Sequence, residues 1–309
     1  MVVHSKKFSQ IIHQKTQLVS EHYKYMHSPT KLESYDVIKT QKARQQILDF
    51  TCDDNKWNSS NHYEQYRNIF VDDQYKFMYC AVRKVSSITW SSIVRQLHNN
   101  KSGQRFFKRL LSTYKPLEIK HRLSSYVKFM FVREPMERIF SAWYDKFVNG
   151  FQKDEYEHLL GPRIVGKIRP CPHHRNCAKE ILSSRHPNMN ITFTEFSRYL
   201  LEIVTDIEKE DMHWNPYYYH CDPCFIKYDF IGHYETIKPD ADEILRKLRI
   251  DHLVKFPEGN SSSVPLMRQH YAELGPDVTE TLAHLYSLDY QMFGYSINQT
   301  LQLLGMSKP

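Results

Sequence analysis

Cationic and hydroxyl side chains cluster where an aromatic, apolar run gives way to a helical pattern. Lys84 follows the run Tyr75–Val82, and the hydroxyl residues after it are Ser86, Ser87 and Thr89. An ammonium group, hydroxyl donors and the amides of a helix N-terminus together suit a phosphate or sulfate group. The glycines of a Walker A loop are missing, so this is not a loop of that type. An ordinary helix that begins at a capping serine remains the alternative.

A second candidate anion site begins at Arg133, where the apolar run Tyr126–Val132 ends and a helix is predicted over Met136–Val148. In open α/β sheets, ligands bind at the carboxyl ends of the strands. A guanidinium group there can hold a phosphate through two parallel hydrogen bonds. A surface ion pair between Glu134 and Arg138 is the alternative use of these charges. Two such junctions about 50 residues apart favour anion binding over the ion pair.

Strands and helices that position these segments alternate along the chain. The predicted strands are Tyr75–Val82, Tyr126–Val132 and Phe225–Ile231. The predicted helices are Arg44–Cys52, Trp90–Leu97, Met136–Val148, Phe193–Ile207 and Pro239–Ile250. Residues 150–190 are rich in Pro, His and Arg and are expected to form an irregular excursion. Alternation of this kind predicts an α/β fold with a central parallel sheet flanked by helices.

The positive charge of the chain is unevenly distributed. The formal net charge is +7, but residues 1–45 hold eight Lys and Arg against three acidic residues. The rest of the chain is therefore nearly neutral, and it shows no reader motif for nucleic acid, so a nucleic-acid partner is not expected. We expect residues 1–45 to be a poorly ordered basic stem and residues 46–309 to form a single domain. A mean hydropathy of −0.61 and the lack of a long apolar run predict no membrane-spanning segment.

Cysteines and glycosylation sequons indicate an oxidising compartment. The six cysteines are Cys52, Cys80, Cys171, Cys177, Cys221 and Cys224, and the four sequons begin at Asn58, Asn190, Asn260 and Asn298. Together they favour disulfides in a lumenal or secreted protein, although the chain begins without the apolar stretch of a signal peptide. A zinc site built from the last four cysteines is the alternative. The spacing alone does not give the disulfide pairing.

The two anion-site segments resemble the 5′-phosphosulfate and 3′-phosphate binding motifs of Golgi carbohydrate sulfotransferases. The similarity is to the branch with the chondroitin and dermatan 4-O-sulfotransferases, and it is closest over His121–Phe147 and His213–Thr236. The ends Arg44–Cys52 and Leu288–Tyr295 are also similar, so the resemblance covers about residues 44–296. It implies a P-loop-like sulfotransferase fold, with residues 46–309 as the catalytic domain, in the Golgi lumen or at its membrane.

This resemblance implies transfer of a sulfuryl group from 3′-phosphoadenosine 5′-phosphosulfate to a sugar hydroxyl of a glycosaminoglycan, chondroitin-like in the first instance. Lys84 is then expected at the bridging oxygen, with Arg133 and Ser141 at the 3′-phosphate. The full set expected to bind the donor is Arg83, Lys84, Val85, Ser86, Ser87, Thr89, Trp90, Arg133 and Ser141. Trp90 or Trp143 would lie near the adenine, although each is equally well a core aromatic residue. The reaction needs no metal ion.

Proton removal from the acceptor hydroxyl requires a general base, and histidine is the usual choice near neutral pH. His121 and His213 are the two candidates among the 17 histidines, and an aspartate or glutamate remains open. Any membrane association is expected to come from an anchor not seen in this sequence. The oligomeric state is not predicted.

Two residues depart from the family pattern. Arg83 stands where the first motif usually has proline, and Ile88 stands where the threonine that faces the 5′-phosphate is usual. These departures motivate an alternative function, that of a catalytically impaired protein that binds anionic glycans. A phosphoryl-transferring kinase is a third possibility, and the absence of a Walker A pattern argues against it.

Overall fold

A computed structural model describes residues 35–55, 66–98, 109–169, 189–258 and 264–306. The chain divides into two compact units. The first comprises Met1–Glu134, Pro216–Asn260 and Leu288–Ser296, and the second comprises Pro135–Asn215, Ser261–Ser287 and Ile297–Pro309. The single domain expected over residues 46–309 therefore contains parts of both units, and that domain assignment stays a prediction.

The first unit contains a four-stranded sheet in the order β1-β2-β3-β4. Its strands are β1 (Ile69–Asp72), β2 (Phe77–Cys80), β3 (Val127–Val132) and β4 (Phe230–His233). β2, β3 and β4 run parallel, and β1 pairs antiparallel with β2. The expected α/β fold with a central parallel sheet is confirmed, and β1 adds an antiparallel strand at one edge. β1 was not predicted, because its four residues are too few to show an alternating pattern.

Fourteen α-helices lie in the described residues. In chain order they are α1 (Val37–Asp54), α2 (Ser87–Leu97), α3 (Pro116–Ser125), α4 (Pro135–Trp143), α5 (Lys153–Leu159), α6 (Gly161–Ile168), α7 (Phe193–Glu202), α8 (Tyr217–Cys221), α9 (Pro223–Ile226), α10 (Ile237–Lys247), α11 (Val264–Leu274), α12 (Pro276–Leu285), α13 (Ser287–Phe293) and α14 (Ile297–Leu303). A π-helix, Tyr144–Val148, follows α4, and 3-10 helices cover Leu111–Thr113, Val204–Lys209 and Tyr234–Thr236.

α1 begins at Val37, earlier than the helical pattern expected from Arg44. Residues 37–45 are therefore helical, and the expected poorly ordered stem extends too far along the chain. Asp36 caps the helix by accepting a hydrogen bond from the Lys39 amide, and Arg44 forms a buried ion pair with Asp240 at 2.7 Å. Residues 1–34 lie outside the described residues.

The excursion expected over residues 150–190 is not irregular where the structure describes it, because α5 and α6 occupy most of residues 153–168. The third predicted strand is also displaced: Pro223 starts α9, which continues to Ile226. Asp222 and Lys227 flank α9 with positive φ angles of 43° and 54°. The first residues of the apolar run, Phe225 and Ile226, therefore belong to α9, and β4 begins only at Phe230.

Aromatic side chains fill the core of the first unit behind β2 and β3. Trp90 of α2 is 1% exposed and packs against Phe129, Phe131 and Phe256, with ring centroids 5.1–5.5 Å apart. Tyr79 of β2 stacks on Phe129 at 4.9 Å. Burial of large aromatic rings provides much of the energy that fixes α2 against the sheet.

The hairpin between β1 and β2 is stabilised around Asp73. Its carboxylate accepts hydrogen bonds from the hydroxyls of Tyr114 and Tyr126 at 2.8 Å, from Arg122 Nε at 3.0 Å and from Arg109 at 3.1 Å. Burial alone would raise the pKa of Asp73, but the hydrogen bonds from Tyr126, Tyr114 and Arg122 outweigh it and lower the pKa to about 2. The ionised carboxylate is therefore part of the folded hairpin.

Tyr217 fixes the main chain just beyond β3. Its hydroxyl accepts a hydrogen bond from the Arg133 amide at 3.0 Å and donates one to the Arg133 carbonyl at 2.8 Å. The Tyr217 amide in turn donates to both carboxylate oxygens of Asp289, at 3.0 and 2.9 Å. All three residues are buried, so Arg133 leaves the strand in a fixed direction.

Two disulfides attach the α8–α9 segment to the rest of the first unit. Cys80 at the end of β2 is bonded to Cys221, and Cys52 of α1 is bonded to Cys224. The bonded cysteines are 141 and 172 residues apart in the sequence. In the chain-entropy account, closing such long loops stabilises a fold by roughly 3–5 kcal/mol each.

In the second unit, aromatic side chains of α4, α7 and α11 form the core. Phe193 lies edge-on to Trp143 at 5.3 Å and to Tyr271 at 4.8 Å. The polar atoms of these rings are satisfied, because Trp143 Nε1 donates to the Ile191 carbonyl and the Tyr271 hydroxyl donates to the Met136 carbonyl, both at 2.9 Å. α4 is thereby held at both of its ends.

We expect Asp73→Asn to lower the free energy of unfolding at pH 7 by about 1 kcal/mol, a value discounted for the partial exposure of the carboxylate. The folded pKa lies below the usual value of an aspartate carboxyl group, so the carboxylate stabilises the fold at neutral pH and this contribution is lost as the pH falls towards 2. Urea unfolding should show a difference between wild type and variant that shrinks from pH 7 to pH 3. The exposed Asp54→Asn is the control, and a difference independent of pH would contradict the prediction.

We expect Tyr217→Phe to lower the free energy of unfolding by about 2 kcal/mol, because it removes both hydrogen bonds to the buried main chain of Arg133. Urea unfolding measures this loss. Tyr219→Phe is the matched control on the same helix, with an expected change below about 0.5 kcal/mol. Equal effects of the two substitutions would mean that the hydroxyl of Tyr217 does not hold the end of β3.

Candidate functional site

The segment between β2 and α2 has the backbone of an anion-binding loop. Lys84 and Ser86 have positive φ angles of 66° and 56°, which non-glycine residues rarely adopt. Ser86 occupies the N-cap position of α2, but its side chain makes no capping hydrogen bond. The first-turn amides of any α-helix have no acceptor within the helix. This N-terminus therefore suits an anion from outside the helix better than the ordinary serine cap considered above.

Side chains around this loop add cationic and hydroxyl groups. Arg83, Lys84, Ser86 and Thr89 are half-buried, whereas Ser87 is buried. Burial raises the pKa of the Tyr79 hydroxyl, and the charge of Arg83 acts in the opposite direction. The Arg83 guanidinium group thus lies close enough to influence the end of β2.

Arg133 is held at the end of β3 by its ring contact as well as by its main chain. Its guanidinium carbon lies 4.3 Å from the centroid of the Tyr234 ring, which follows β4. The side chain is largely buried, with the whole residue 5% exposed. A guanidinium group over an aromatic ring is held by a cation–π contact, and its planar set of N–H donors suits bidentate recognition of a phosphate.

The parallel strands bring the loop and Arg133 to one edge of the sheet. Cys80 of β2 pairs with Met130 of β3, so the chain leaves both strands at the carboxyl edge. His121 lies in α3, before β3, and is exposed at the opposite edge of the sheet. The six residues of β3 span about 20 Å. The structure therefore does not bring His121 to the loop, and we remove it from the candidate site.

The burial of individual side chains changes the expected roles of Trp90, Val85 and Trp143. Trp90 and Val85 are 1% and 0% exposed, so Trp90 is a core residue and Val85 offers a ligand only its main chain. Trp143 is likewise a core residue of the second unit. Ile88, by contrast, is 77% exposed in the first turn of α2, where an apolar side chain gains nothing from packing.

Ser141 lies on α4 of the second unit and is half-buried. Arg138 of the same helix is 1% exposed and donates hydrogen bonds to the carbonyls of Asn215 at 2.8 Å and Met212 at 3.1 Å. Arg138 therefore anchors the segment that carries His213, which is a different use of its charge from the surface ion pair with Glu134 considered above.

His213 is part of a hydrogen-bonded cluster in the second unit. Its Nδ1 lies 2.5 Å from Asp211 Oδ1 and 3.1 Å from the Tyr156 hydroxyl. The Tyr156 hydroxyl also donates to Asp211 Oδ2 at 2.9 Å, and the amide of His213 donates to Asp211 Oδ1 at 2.8 Å. Burial raises the pKa of Asp211, but the hydrogen bonds from His213 and Tyr156 outweigh it, and the pKa lies below its usual value.

The sequence singles out His213 as a candidate base but gives no indication of Asp211, Tyr156, Tyr217 or Asp289. Asp211 stands two residues before His213, a spacing that allows a carboxylate to turn back onto the ring. Tyr156 and Asp289 give no signal of this kind, because they reach their partners across 57 and 72 residues of sequence.

The zinc alternative is wrong for two of its four cysteines. Cys221 and Cys224 are bonded in disulfides, and a thiolate is needed to bind zinc. Cys171 and Cys177 lie outside the described residues. Ligand atoms of Cys80, His220 and Cys221 lie within 4.8 Å of one another, but both sulfurs belong to one disulfide.

Among the described residues, no helix has the length and apolar character needed to span a bilayer.

Comparison with known proteins places this chain among sulfotransferases. Residues 67–296 match the sequence profile of the Sulfotransferase family. The chain is 35% identical to carbohydrate sulfotransferase 14 of Danio rerio over 246 residues, which cover 76% of this chain and 64% of that relative. It is 29% identical to carbohydrate sulfotransferase 11 of Rattus norvegicus over 299 residues, 90% of this chain and 82% of the relative. It is 30% identical to carbohydrate sulfotransferase 8 of Mus musculus over 279 residues, 84% and 64%.

The chain thus spans slightly less than two thirds of the length of the first of these relatives. No solved structure gives a significant match. The profile match includes the loop before α2, Arg133 and the His213 segment. The chain therefore belongs to the Sulfotransferase family.

Proposed function

We propose that this protein is a carbohydrate O-sulfotransferase that uses 3′-phosphoadenosine 5′-phosphosulfate as its donor. The observation that carries the proposal is the placement of the uncapped N-terminus of α2, with Lys84 before it, at the same sheet edge as Arg133. A donor with phosphates at both its 3′ and 5′ positions needs two anion sites of this kind. Family membership and relatives named carbohydrate sulfotransferases support the reaction class.

The loop residues fit the 5′ end of the donor. Main-chain amides of Val85 and Ser86, the hydroxyls of Ser87 and Thr89, and the Lys84 ammonium group are the proposed ligands. The positive end of the α2 dipole favours the negatively charged 5′-phosphosulfate at this position. Arg133 is proposed to bind the 3′-phosphate together with Ser141, and this contact would select the donor over other adenine nucleotides.

Transfer then needs positioning and electrostatic stabilisation more than covalent help from the protein. The acceptor hydroxyl oxygen attacks sulfur, and the bond between sulfur and the bridging oxygen breaks. Lys84 stabilises the negative charge that grows on the leaving oxygen. His213 is the proposed base that accepts the hydroxyl proton, since its ring is hydrogen-bonded to the carboxylate of Asp211.

The proposed acceptor is a glycosaminoglycan of the chondroitin type, as the resemblance to the 4-O-sulfotransferase branch implies. The two disulfides and the exposed sequon residues Asn190 and Asn298 support a lumenal compartment, and we propose the Golgi. Nucleic acid is not a proposed partner.

We expect Lys84→Ala and Arg133→Ala each to lower sulfate transfer at least about 100-fold, because each removes a charge that acts on the donor. The measurement is transfer of labelled sulfate from the donor to a panel of desulfated glycans, followed by mapping of the sulfated position. Lys39→Ala and Arg246→Ala are the matched controls, since both side chains are exposed and lie on other helices.

If both Lys84→Ala and Arg133→Ala kept the activity of wild type, the proposed donor site would be rejected. Transfer to desulfated chondroitin over the other glycans would support the proposed acceptor class. Sulfate transfer to a different glycan would support the proposed reaction but would reject chondroitin as the acceptor.

A second candidate, a glycan-binding protein without transferase activity, is favoured by one observation. Ile88 is 77% exposed at the position where the family usually has a threonine that faces the 5′-phosphate. Under this alternative, wild type binds desulfated glycans but transfers no sulfate, and Ile88→Thr raises donor affinity. Transfer by wild type at a rate that Ile88→Thr does not raise would reject it.

A further inference from the structure

We propose that Asp211 and Tyr156 are positioning residues that fix His213 as a proton acceptor through its Nε2 atom. This inference rests on the proposed sulfotransferase function and adds two residues to it. It explains why a carboxylate and a phenol converge on one ring nitrogen of His213.

The hydrogen-bond network assigns the ring proton of His213 to Nδ1. Asp211 Oδ1 lies 2.5 Å from Nδ1, and an ionised carboxylate can only accept a hydrogen bond. The pKa of Asp211 lies below its usual value, because the hydrogen bonds from His213 and Tyr156 outweigh the effect of burial. With the proton on Nδ1, the lone pair of the neutral ring is on Nε2.

Tyr156 fixes the carboxylate that orients the ring. Its hydroxyl donates to Asp211 Oδ2 at 2.9 Å, while Asp211 Oδ1 accepts from the His213 amide and ring. Both carboxylate oxygens therefore have donors, so Asp211 cannot rotate without losing a hydrogen bond. The rings of Tyr156 and His213 meet edge-on at 5.7 Å.

The residues before and after His213 in the sequence are anchored to neighbouring elements. Trp214 is 0% exposed and packs edge-on against Phe196 at 5.2 Å, and its carbonyl accepts a hydrogen bond from the Tyr286 hydroxyl at 2.8 Å. Arg138 donates to the carbonyls of Met212 and Asn215. His213 itself keeps 13% of its side chain exposed, so the ring is supported but still accessible.

Other charged groups approach this cluster from the neighbouring elements. From the π-helix, Lys146 Nζ lies 4.6 Å from the centroid of the Tyr156 ring and 3.3 Å from Asp145. From α4, Arg138 faces the main chain of the segment. Asp211 is the carboxylate in direct contact with the ring of His213.

In the proposed step, the acceptor hydroxyl gives its proton to His213 Nε2 as its oxygen forms the bond to sulfur. The electron pair of the breaking bond leaves with the bridging oxygen on adenosine 3′,5′-bisphosphate. His213 becomes an imidazolium, which the negative charge of Asp211 stabilises. This is the role of a carboxylate that positions a catalytic histidine in other enzymes.

The test compares Asp211→Asn, Tyr156→Phe and Glu195→Gln with wild type. Asp211→Asn keeps the shape of the side chain but removes its charge, and we expect kcat to fall about 100-fold with the donor KM within about twofold. The acidic limb of its kcat–pH profile should move about one unit towards lower pH, because the imidazolium loses its counter-charge. Tyr156→Phe should lower kcat about fivefold.

Glu195→Gln is the matched control in the same unit. Glu195 pairs with Arg169 and caps α7, so the variant should lose thermal stability but keep kcat and the pH profile of wild type. A purely structural role for Asp211 would give the same result, and that outcome would overturn the proposal.

Spectra of isotope-labelled histidine in the wild-type protein provide a readout that needs no folded variant. Neutral His213 with its proton on Nδ1 supports the proposal, and a proton on Nε2 overturns it. The two proposals fail in different ways. Absence of sulfate transfer by wild type would reject the proposed function, whereas normal kinetics of Asp211→Asn in an active enzyme would reject only the positioning role.

Discussion

Parallel pairing of β2, β3 and β4 is the constraint on which the candidate donor site of the first unit depends. It directs the chain out of β2 and β3 at the same edge, so that the loop before α2 and Arg133 leave the sheet side by side in the strand order. Trp90 then packs α2 against β3, which fixes the direction of the helix dipole. The aromatic core and the anion site are therefore two consequences of one strand arrangement.

The proposed donor site needs few charged side chains, because the surrounding residues hold Arg133 in a fixed position. The Tyr217 hydroxyl forms hydrogen bonds with both main-chain groups of Arg133, and the Arg133 guanidinium group lies over the Tyr234 ring. The Cys80–Cys221 disulfide joins the end of β2 to the last residue of α8, the helix that begins with Tyr217. In the proposed function, a nearly neutral domain would bind the anionic donor through groups whose ordering cost was met during folding.

The sequence allowed prediction of the fold class, of β3 almost to the residue and of the two junctions, because buried strands and helix starts leave local signals. Prediction from the sequence failed where contacts between distant residues determine the structure. Phe225–Ile231 looked like one strand, but Pro223 and two left-handed residues make its first part a helix. His121 looked equivalent to His213, and only the strand direction places it at the opposite edge. Tyr156 and Tyr217 act on partners far away in sequence, which no local pattern reveals.

We propose that Arg133 binds the 3′-phosphate of the donor at the carboxyl edge of the sheet. Calorimetric titration with adenosine 3′,5′-bisphosphate and with adenosine 5′-phosphate, for wild type and Arg133→Lys, tests it most directly. Wild type should bind the bisphosphate about 100-fold more tightly than the 5′-phosphate, and Arg133→Lys should lose most of this preference, since lysine cannot form the bidentate contact. An unchanged preference in Arg133→Lys, or no binding of the bisphosphate by wild type, would contradict it.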